Sequence, residues 1–249
     1  MRNSRVEANR GQFRKGRQAL DDLVVLIHQQ ERSELADRLI REQAWVEGIV
    51  GNDQLIGKYF TFPVDVETTH LEQIILTAYI LALQRKVDQA EDLLQSALGL
   101  YPKATLLKNL HIPTVEALNA HWRGDLEAAL RKLRITARYE KAPEADKFKL
   151  LRGQIYLELE NGEEAVKAFR KILDYPGQIT YFFRETPVSS WIEIPVAQVG
   201  LARAKAISAD IEGAREAYED FFEMWEGADE DIPLFVEAKA EYETLMTDN

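Results

Sequence analysis

The sequence of 249 residues contains no cysteine. Disulfide bridges, thiolate metal sites and cysteine nucleophiles are therefore excluded, and a reducing compartment suits the chain. The first twenty residues also lack the apolar core of a secretory signal, and no apolar run approaches the ~18 residues that span a bilayer. We predict a soluble, cytoplasmic protein without a membrane partner.

Basic side chains are the minority charge, because 31 lysines and arginines face 42 carboxylates, which gives a net charge of -11. An acidic surface repels phosphate backbones, so nucleic acid is not a predicted partner. The imbalance is uneven, since residues 1–17 are basic while residues 210–249 carry fourteen carboxylates. The basic start has two interpretations: a contact for an acidic partner or, as we favour, the solvated end of a helix.

Recognisable catalytic motifs are also missing from the sequence. The four histidines have no metal-binding spacing, and the chain has no nucleophile elbow and no phosphate loop. Asp229, Glu230 and Asp231 could hold a cation, but capping of the following helix explains them without one. We expect no enzyme activity, no cofactor and no metal; a hidden carboxylate site is the less favoured alternative.

What the sequence does contain is a recurring pattern of small residues. A small residue is followed four positions later by a large one and preceded twelve positions earlier by another small one. The four occurrences are Ala78, Ala90 and Leu94; Ala117, Ala129 and Leu133; Gly153, Ala165 and Phe169; and Ala202, Ala214 and Tyr218. The central alanines lie 39, 36 and 49 residues apart, which indicates helices of constant length joined by loops of variable length.

Helix crossing explains this pattern. Two antiparallel helices approach closely where both carry small side chains, and a large side chain one turn away fills the groove beside them. Turn sequences such as "RGD" at 123–125 separate the paired helices, and Pro102 and Pro176 end the second helix of a pair. Each hairpin leaves one apolar face uncovered, which the next hairpin can bury. We therefore predict an all-α fold of stacked antiparallel helix hairpins.

Residues 146–176 present small, aromatic, alanine, aromatic and proline positions in a fixed order, at Gly153, Tyr156, Ala165, Phe169 and Pro176. This order resembles the tetratricopeptide repeat (TPR) family. The resemblance implies a right-handed superhelical solenoid with a C-terminal capping helix. The implied units are a partial repeat at 1–30, a degenerate repeat at 31–62, repeats at 71–102, 110–141, 146–176 and 195–226, an insertion at 177–194 and the capping helix at 232–247.

The final stretch, "AREAYEDFFEMWEGADEDIPLFVEAKAEYETL", is similar to the end of the TPR regions attached to bacterial serine/threonine protein kinases and winged-helix regulators. That likeness implies a sensor or scaffold module of a longer bacterial signalling protein. Such a module acts by binding a protein or peptide partner. The sequence itself contains none of the kinase motifs.

The TPR resemblance also implies that the first helices of successive hairpins line a concave groove. The groove residues expected from the register are Ile75, Tyr79, His111, Thr114, Leu118, His121, Trp122, Lys147, Gln154, Glu158 and Arg203. From His111 to Trp122 they form one continuous helical stripe. Trp122 has two interpretations, a hot spot for a bound peptide or packing against the neighbouring hairpin. Ile75 and Tyr79 stand where some TPR domains carry a clamp for a C-terminal carboxylate, so that binding mode is not expected.

The insertion is the second candidate surface. Its aromatic side chains give it more apolar area than a solvated loop needs, so it either tucks onto the helices, as we favour, or forms an interface. These residues are Tyr181, Phe182, Phe183 and Trp191. An interface here would make the protein a self-associating scaffold, that is, a homo-oligomer.

Overall fold

The computed structural model describes residues 10–60, 64–142, 145–174 and 192–247. Over these ranges the regular structure is entirely helical and contains no strand, which confirms the predicted all-α class. The α-helices are α1 (Phe13–Gln29), α2 (Ser33–Ile49), α3 (Asp53–Tyr59), α4 (Leu71–Leu83), α5 (Val87–Leu100), α6 (Ile112–Trp122), α7 (Leu126–Thr136), α8 (Asp146–Glu158), α9 (Gly162–Leu173), α10 (Glu193–Ile207), α11 (Ile211–Met224) and α12 (Pro233–Thr247). None of these helices is long and apolar enough to cross a bilayer.

Consecutive helices pack as pairs. We call α2, α4, α6, α8 and α10 the first helices, and their partners α3, α5, α7, α9 and α11 the second helices. Each first helix contacts its own second helix, and α2, α4, α6 and α8 also contact the first helix of the next pair. From α5 onward, the second helices likewise contact the first helix that follows them. Every pair is therefore covered by its neighbour along the chain.

One turn geometry joins the two helices of each pair, and it also joins α1 to α2. Glu31, Arg85, Glu160 and Ala209 adopt positive φ, as do the glycines Gly51 and Gly124 in the equivalent turns. The amide that follows each of them bonds to a carbonyl five residues earlier, the arrangement that ends a helix with one left-handed residue. Examples are Lys86 N–H to Leu81 at 2.9 Å and Asp210 N–H to Lys205 at 2.9 Å. The same hairpin turn thus recurs along the chain.

The small residues lie where helix crossing predicts them. Ala90, Ala129, Ala165 and Ala214 are completely buried, and each lies five residues after the left-handed residue of its turn. Their predicted burial is confirmed. The repeat is therefore visible in the burial pattern as well as in the turns.

Gly153, which the sequence pattern pairs with Ala165, also lies against an aromatic ring. The ring of Phe169, on α9, lies against Gly153 on α8 and Gly200 on α10, and a Cβ atom at either glycine would come closer than 3.0 Å to it. Phe169 is buried. Two glycines on successive first helices therefore make the space that one aromatic ring of a second helix fills.

The two ends of the described chain contact each other. The Asp229 amide donates to the Gly11 carbonyl at 2.9 Å, and the Asp229 carboxylate accepts from the Arg14 amide at 2.7 Å. Phe13 packs edge-on against Trp225, with ring centroids 5.8 Å apart. Arg14 also forms an ion pair with Asp231 at 2.8 Å, so part of the basic start has its acidic partner within the same chain.

The last helix takes part in this contact. The Leu234 amide, at the start of α12, donates to the Val50 carbonyl at the end of α2, at 3.2 Å. Helix α12 also packs on α11. It therefore covers the last pair and meets the N-terminal helices at the same time, whereas an extended stack would hold its ends apart.

Candidate functional site

The first helices and α12 surround a cavity of about 320 Å³. Helices α2, α4, α6, α8 and α10 each contribute side chains to its wall. Seven of the predicted groove residues line it: Tyr79, Leu118, His121, Trp122, Lys147, Gln154 and Arg203. The structure therefore brings most of the predicted residues, from four different helices, to one space.

Four of the groove residues lie elsewhere. His111 and Thr114 are buried in the core, where His111 Nδ1 lies 3.2 Å from Tyr79 Oη and Thr114 bonds to the Leu110 carbonyl. Ile75 is also buried, and Glu158 lies outside the cavity lining. The expected stripe is divided between two environments: His111 ends a π-helical turn at Leu107–His111, and Thr114, in the first turn of α6, is buried, while Leu118, His121 and Trp122 line the cavity.

Lys147 is held between aromatic rings at the centre of the site. Its ammonium group lies 5.1 Å from the ring centroid of Trp45 and 5.7 Å from that of Tyr79. The two rings meet edge-on, with centroids 5.9 Å apart. A cation on the faces of two aromatic rings is attracted by their quadrupoles, so the ammonium is positioned without a carboxylate.

Glu193 is a buried carboxylate that contacts the same aromatic group. It is 1% exposed, and Trp45 Nε1 donates a hydrogen bond to its Oε1 at 3.3 Å. Burial raises the pKa of Glu193 from the ordinary 4.5 to about 7, and the negative charge of Asp146 acts in the same direction, while Lys147 and Trp45 oppose it. The second oxygen, Oε2, is buried and has no hydrogen-bond partner in the described structure.

Trp122 combines the two interpretations that the sequence leaves open. Its indole N–H donates to the Ala82 carbonyl at the end of α4 at 2.9 Å, so it packs on the neighbouring pair. The side chain nevertheless remains 37% exposed and lines the cavity. The guanidinium of Arg85 lies over its ring, 4.9 Å from the centroid. The ring is thus fixed in place with one part open to the cavity.

His121 and Arg203 are fixed by carboxylates. His121 Nε2 lies 2.6 Å from Glu158, and because a carboxylate accepts, this nitrogen carries the proton. Arg203 donates through Nε to Glu241 at 2.9 Å and through a terminal nitrogen to Glu237 at 3.0 Å. Both side chains are therefore rigidly placed at the cavity wall.

Sequence reasoning missed Trp45 and Glu193. Trp45 belongs to the degenerate repeat at 31–62, which offered no reliable register. Glu193 falls in the predicted insertion at 177–194, although α10 already begins at this residue. A single carboxylate within the apolar run of residues 191–199 was the available signal. Trp45 carries the ammonium of Lys147 on its ring, and Glu193 accepts the hydrogen bond of the same indole.

The insertion residues Tyr181, Phe182, Phe183 and Trp191 lie outside the described residues. Their role as an interface stays a prediction. Over the described ranges, no three histidine or acidic side chains are grouped as metal ligands would be.

Comparison with known proteins adds no assignment. No protein-family model matches the chain, and no curated protein is significantly similar to it in sequence.

Proposed function

We propose that this chain is a TPR-type helical-repeat protein that binds a short segment of a protein partner in the cavity between its first helices. It acts by binding rather than by catalysis. In keeping with the resemblance of its final stretch, we propose that it works in the cytoplasm as a sensor or scaffold within bacterial signalling.

The recurrence of one hairpin turn supports a repeat architecture. The left-handed residues Arg85, Gly124, Glu160 and Ala209 repeat at the same spacings as the marker alanines, and each turn carries the same hydrogen bond. Stacked hairpins of this kind present their first helices on one side. A repeat array is thus the simplest account of the recurring turns and of the recurring alanines. In this array the two ends of the described chain also contact each other.

The cavity is the observation that carries the binding proposal. Three aromatic side chains from three first helices, Trp45, Tyr79 and Trp122, line it, and each is held by a hydrogen bond or a ring contact. Rigid aromatic side chains at a concave surface are typical anchors of protein interfaces. They lose little conformational entropy when a ligand binds, because they are already fixed.

The size of the cavity limits the occupant. Ligand pockets typically measure about 300–1,000 Å³, and this cavity of about 320 Å³ lies at the small end of that range. It can enclose only a few side chains at once. A short extended segment, anchored by one or two side chains, fits this volume better than a folded domain does.

Selection from a displayed library of random 12-residue peptides tests the proposal. Selected peptides are synthesised, and their affinity for the wild-type chain and for Trp122→Ala is measured by calorimetry. Because hot-spot anchors contribute at least about 2 kcal/mol, we expect Trp122→Ala to weaken binding roughly 30-fold. Gln154→Trp, which fills the cavity from an exposed position, should abolish binding while the fold is retained.

Ile135→Ala is the matched control, because Ile135 is 46% exposed on α7 and does not line the cavity. Its affinity for the peptides should equal that of wild type. Circular dichroism on each variant confirms folding. The proposal fails when no peptide binds wild type, or when the selected peptides bind Gln154→Trp as tightly as wild type.

A further inference from the structure

The charges around the cavity are not balanced. Among the residues that the structure describes, Arg85, Lys147 and Arg203 are the cations of its lining, and Asp53 and Glu237 are the carboxylates. Arg203 and Glu237 pair with each other at 3.0 Å. Asp53 is exposed where α3 begins. After this pair, Arg85, Lys147 and Asp53 remain, and within the described residues neither of the two cations forms an ion pair; both rest on aromatic rings.

Lys147 is the inner cation, and its nearest acidic groups do not neutralise it by contact. Asp146 pairs with Lys149 at 3.1 Å. Glu193 accepts from Trp45, and no described carboxylate oxygen lies within the 4.0 Å that defines an ion pair with Lys147. The raised pKa of Glu193 also reduces its negative charge near neutral pH. An ammonium has three N–H donors, and those of Lys147 have no acceptor among the described groups.

A second polar atom on the same wall lacks a partner. His121 Nδ1 is buried and forms no hydrogen bond within the described structure, while Nε2 is occupied by Glu158. His121 lines the cavity together with Lys147. A half-buried ammonium is costly unless a ligand supplies an acceptor, and His121 Nδ1, which accepts because Nε2 carries the proton, needs an N–H or O–H donor from the ligand.

We infer that the segment bound in the cavity carries an aspartate or glutamate side chain whose carboxylate pairs with Lys147. This inference rests on the proposed function and specifies its ligand: an acidic side chain next to apolar ones, which contact Trp45, Tyr79 and Trp122. Arg85, over Trp122, is placed to meet a second acidic group near the cavity mouth. The site thereby selects acidic segments although the chain as a whole has a net charge of -11.

The random-peptide selection distinguishes this inference from the proposed function. The peptides that bind wild type and lose binding to Gln154→Trp are sequenced, and their acidic content is compared with that of the unselected library. We expect enrichment of aspartate or glutamate next to apolar residues. Charge-assisted hydrogen bonds contribute about 1.5–3 kcal/mol, so Lys147→Met should weaken these peptides roughly 10- to 100-fold.

Lys167→Met is the matched control, since it removes the same charge from an exposed position on α9 outside the cavity. It should leave the affinities unchanged. Selection repeated on Lys147→Glu should reverse the preference toward lysine or arginine. If Lys147→Glu does not fold, the affinities measured on Lys147→Met still test the inference. Cavity-dependent peptides without acidic enrichment overturn the inference and leave the proposed function intact, whereas a selection without cavity-dependent peptides overturns both.

Discussion

The first and second helices of this protein differ in how much of their surface is buried. In α9, a second helix, the five buried residues Gly162, Ala165, Ala168, Phe169 and Ile172 form one stripe among twelve residues. In α10, a first helix, ten of fifteen residues are buried, and they lie on all sides. A second helix has one face in water, whereas a first helix is enclosed between its own partner, the next pair and the cavity.

Because of this difference, a polar side chain has to be interpreted according to the kind of helix that carries it. On a second helix, a charged residue normally faces water and needs no further explanation. On a first helix, a charge is surrounded by protein, so it must be paired, neutralised or available to a ligand. Lys147 and Glu193 are such residues. The candidate site is accordingly found where polar groups interrupt the enclosed helices.

The largest effect that we expect concerns Glu193. Because its pKa in the folded state, about 7, lies above the ordinary 4.5, the folded chain binds its proton more tightly than the unfolded chain does. Its contribution to stability is complete below pH 4.5 and is lost as the pH rises through 7. Glu193→Gln cannot ionise, so its stability relative to wild type should increase by roughly 2–3 kcal/mol between pH 5 and pH 8.

Urea unfolding at several pH values measures this difference. Glu223→Gln, at an exposed position of the second helix α11, is the matched control and should show no comparable trend. Asp146 and Lys147 are the charged groups that act on Glu193, and both remain unchanged in these variants. A parallel pH dependence for Glu193→Gln and wild type would show that the enclosed helix does not hold this carboxylate in its neutral form.

The second helices account for most of what the sequence could predict. Their stripes, and the marker alanines Ala90, Ala129, Ala165 and Ala214, give the helix positions directly, because one wet face produces a 3.6-residue period. The all-α class follows from these stripes. Trp122 and Lys147, which the register of the repeats assigned to the groove, both line the cavity, and their binding role stays a prediction.

The first helices explain what could not be predicted. An enclosed helix has no polar stripe, so its register must be assumed, and the assumed register assigned the buried residues His111 and Thr114 to the groove. The contact between Trp45 and Glu193 joins residues 148 positions apart. The contact between Arg14 and Asp229 joins residues 215 positions apart. A local pattern contains no information on such pairs.

An intermediate effect is expected at the glycines of the first helices. Gly153→Ala and Gly200→Ala each place a Cβ closer than 3.0 Å to the Phe169 ring, which is enclosed and cannot move aside freely. Overpacking of this kind costs about 1–3 kcal/mol. We expect each variant to lower the free energy of unfolding by about this amount, as measured by urea titration. Phe169→Leu should relieve part of the loss when it is combined with either substitution, and a lack of such coupling would contradict the packing assigned to the ring.

The smallest effect is expected at a glycine of a second helix. Gly99 lies in α5 next to its last residue, is exposed, and has nothing within 4 Å of the position of an added Cβ. Alanine favours helix over glycine by up to about 1 kcal/mol, and less near a helix end, so Gly99→Ala should raise the free energy of unfolding by a few tenths of that. The same substitution is thus expected to stabilise a second helix and destabilise a first one. A loss of stability in Gly99→Ala comparable to that in Gly153→Ala would remove the distinction, because it would mean that second helices are as enclosed as first helices.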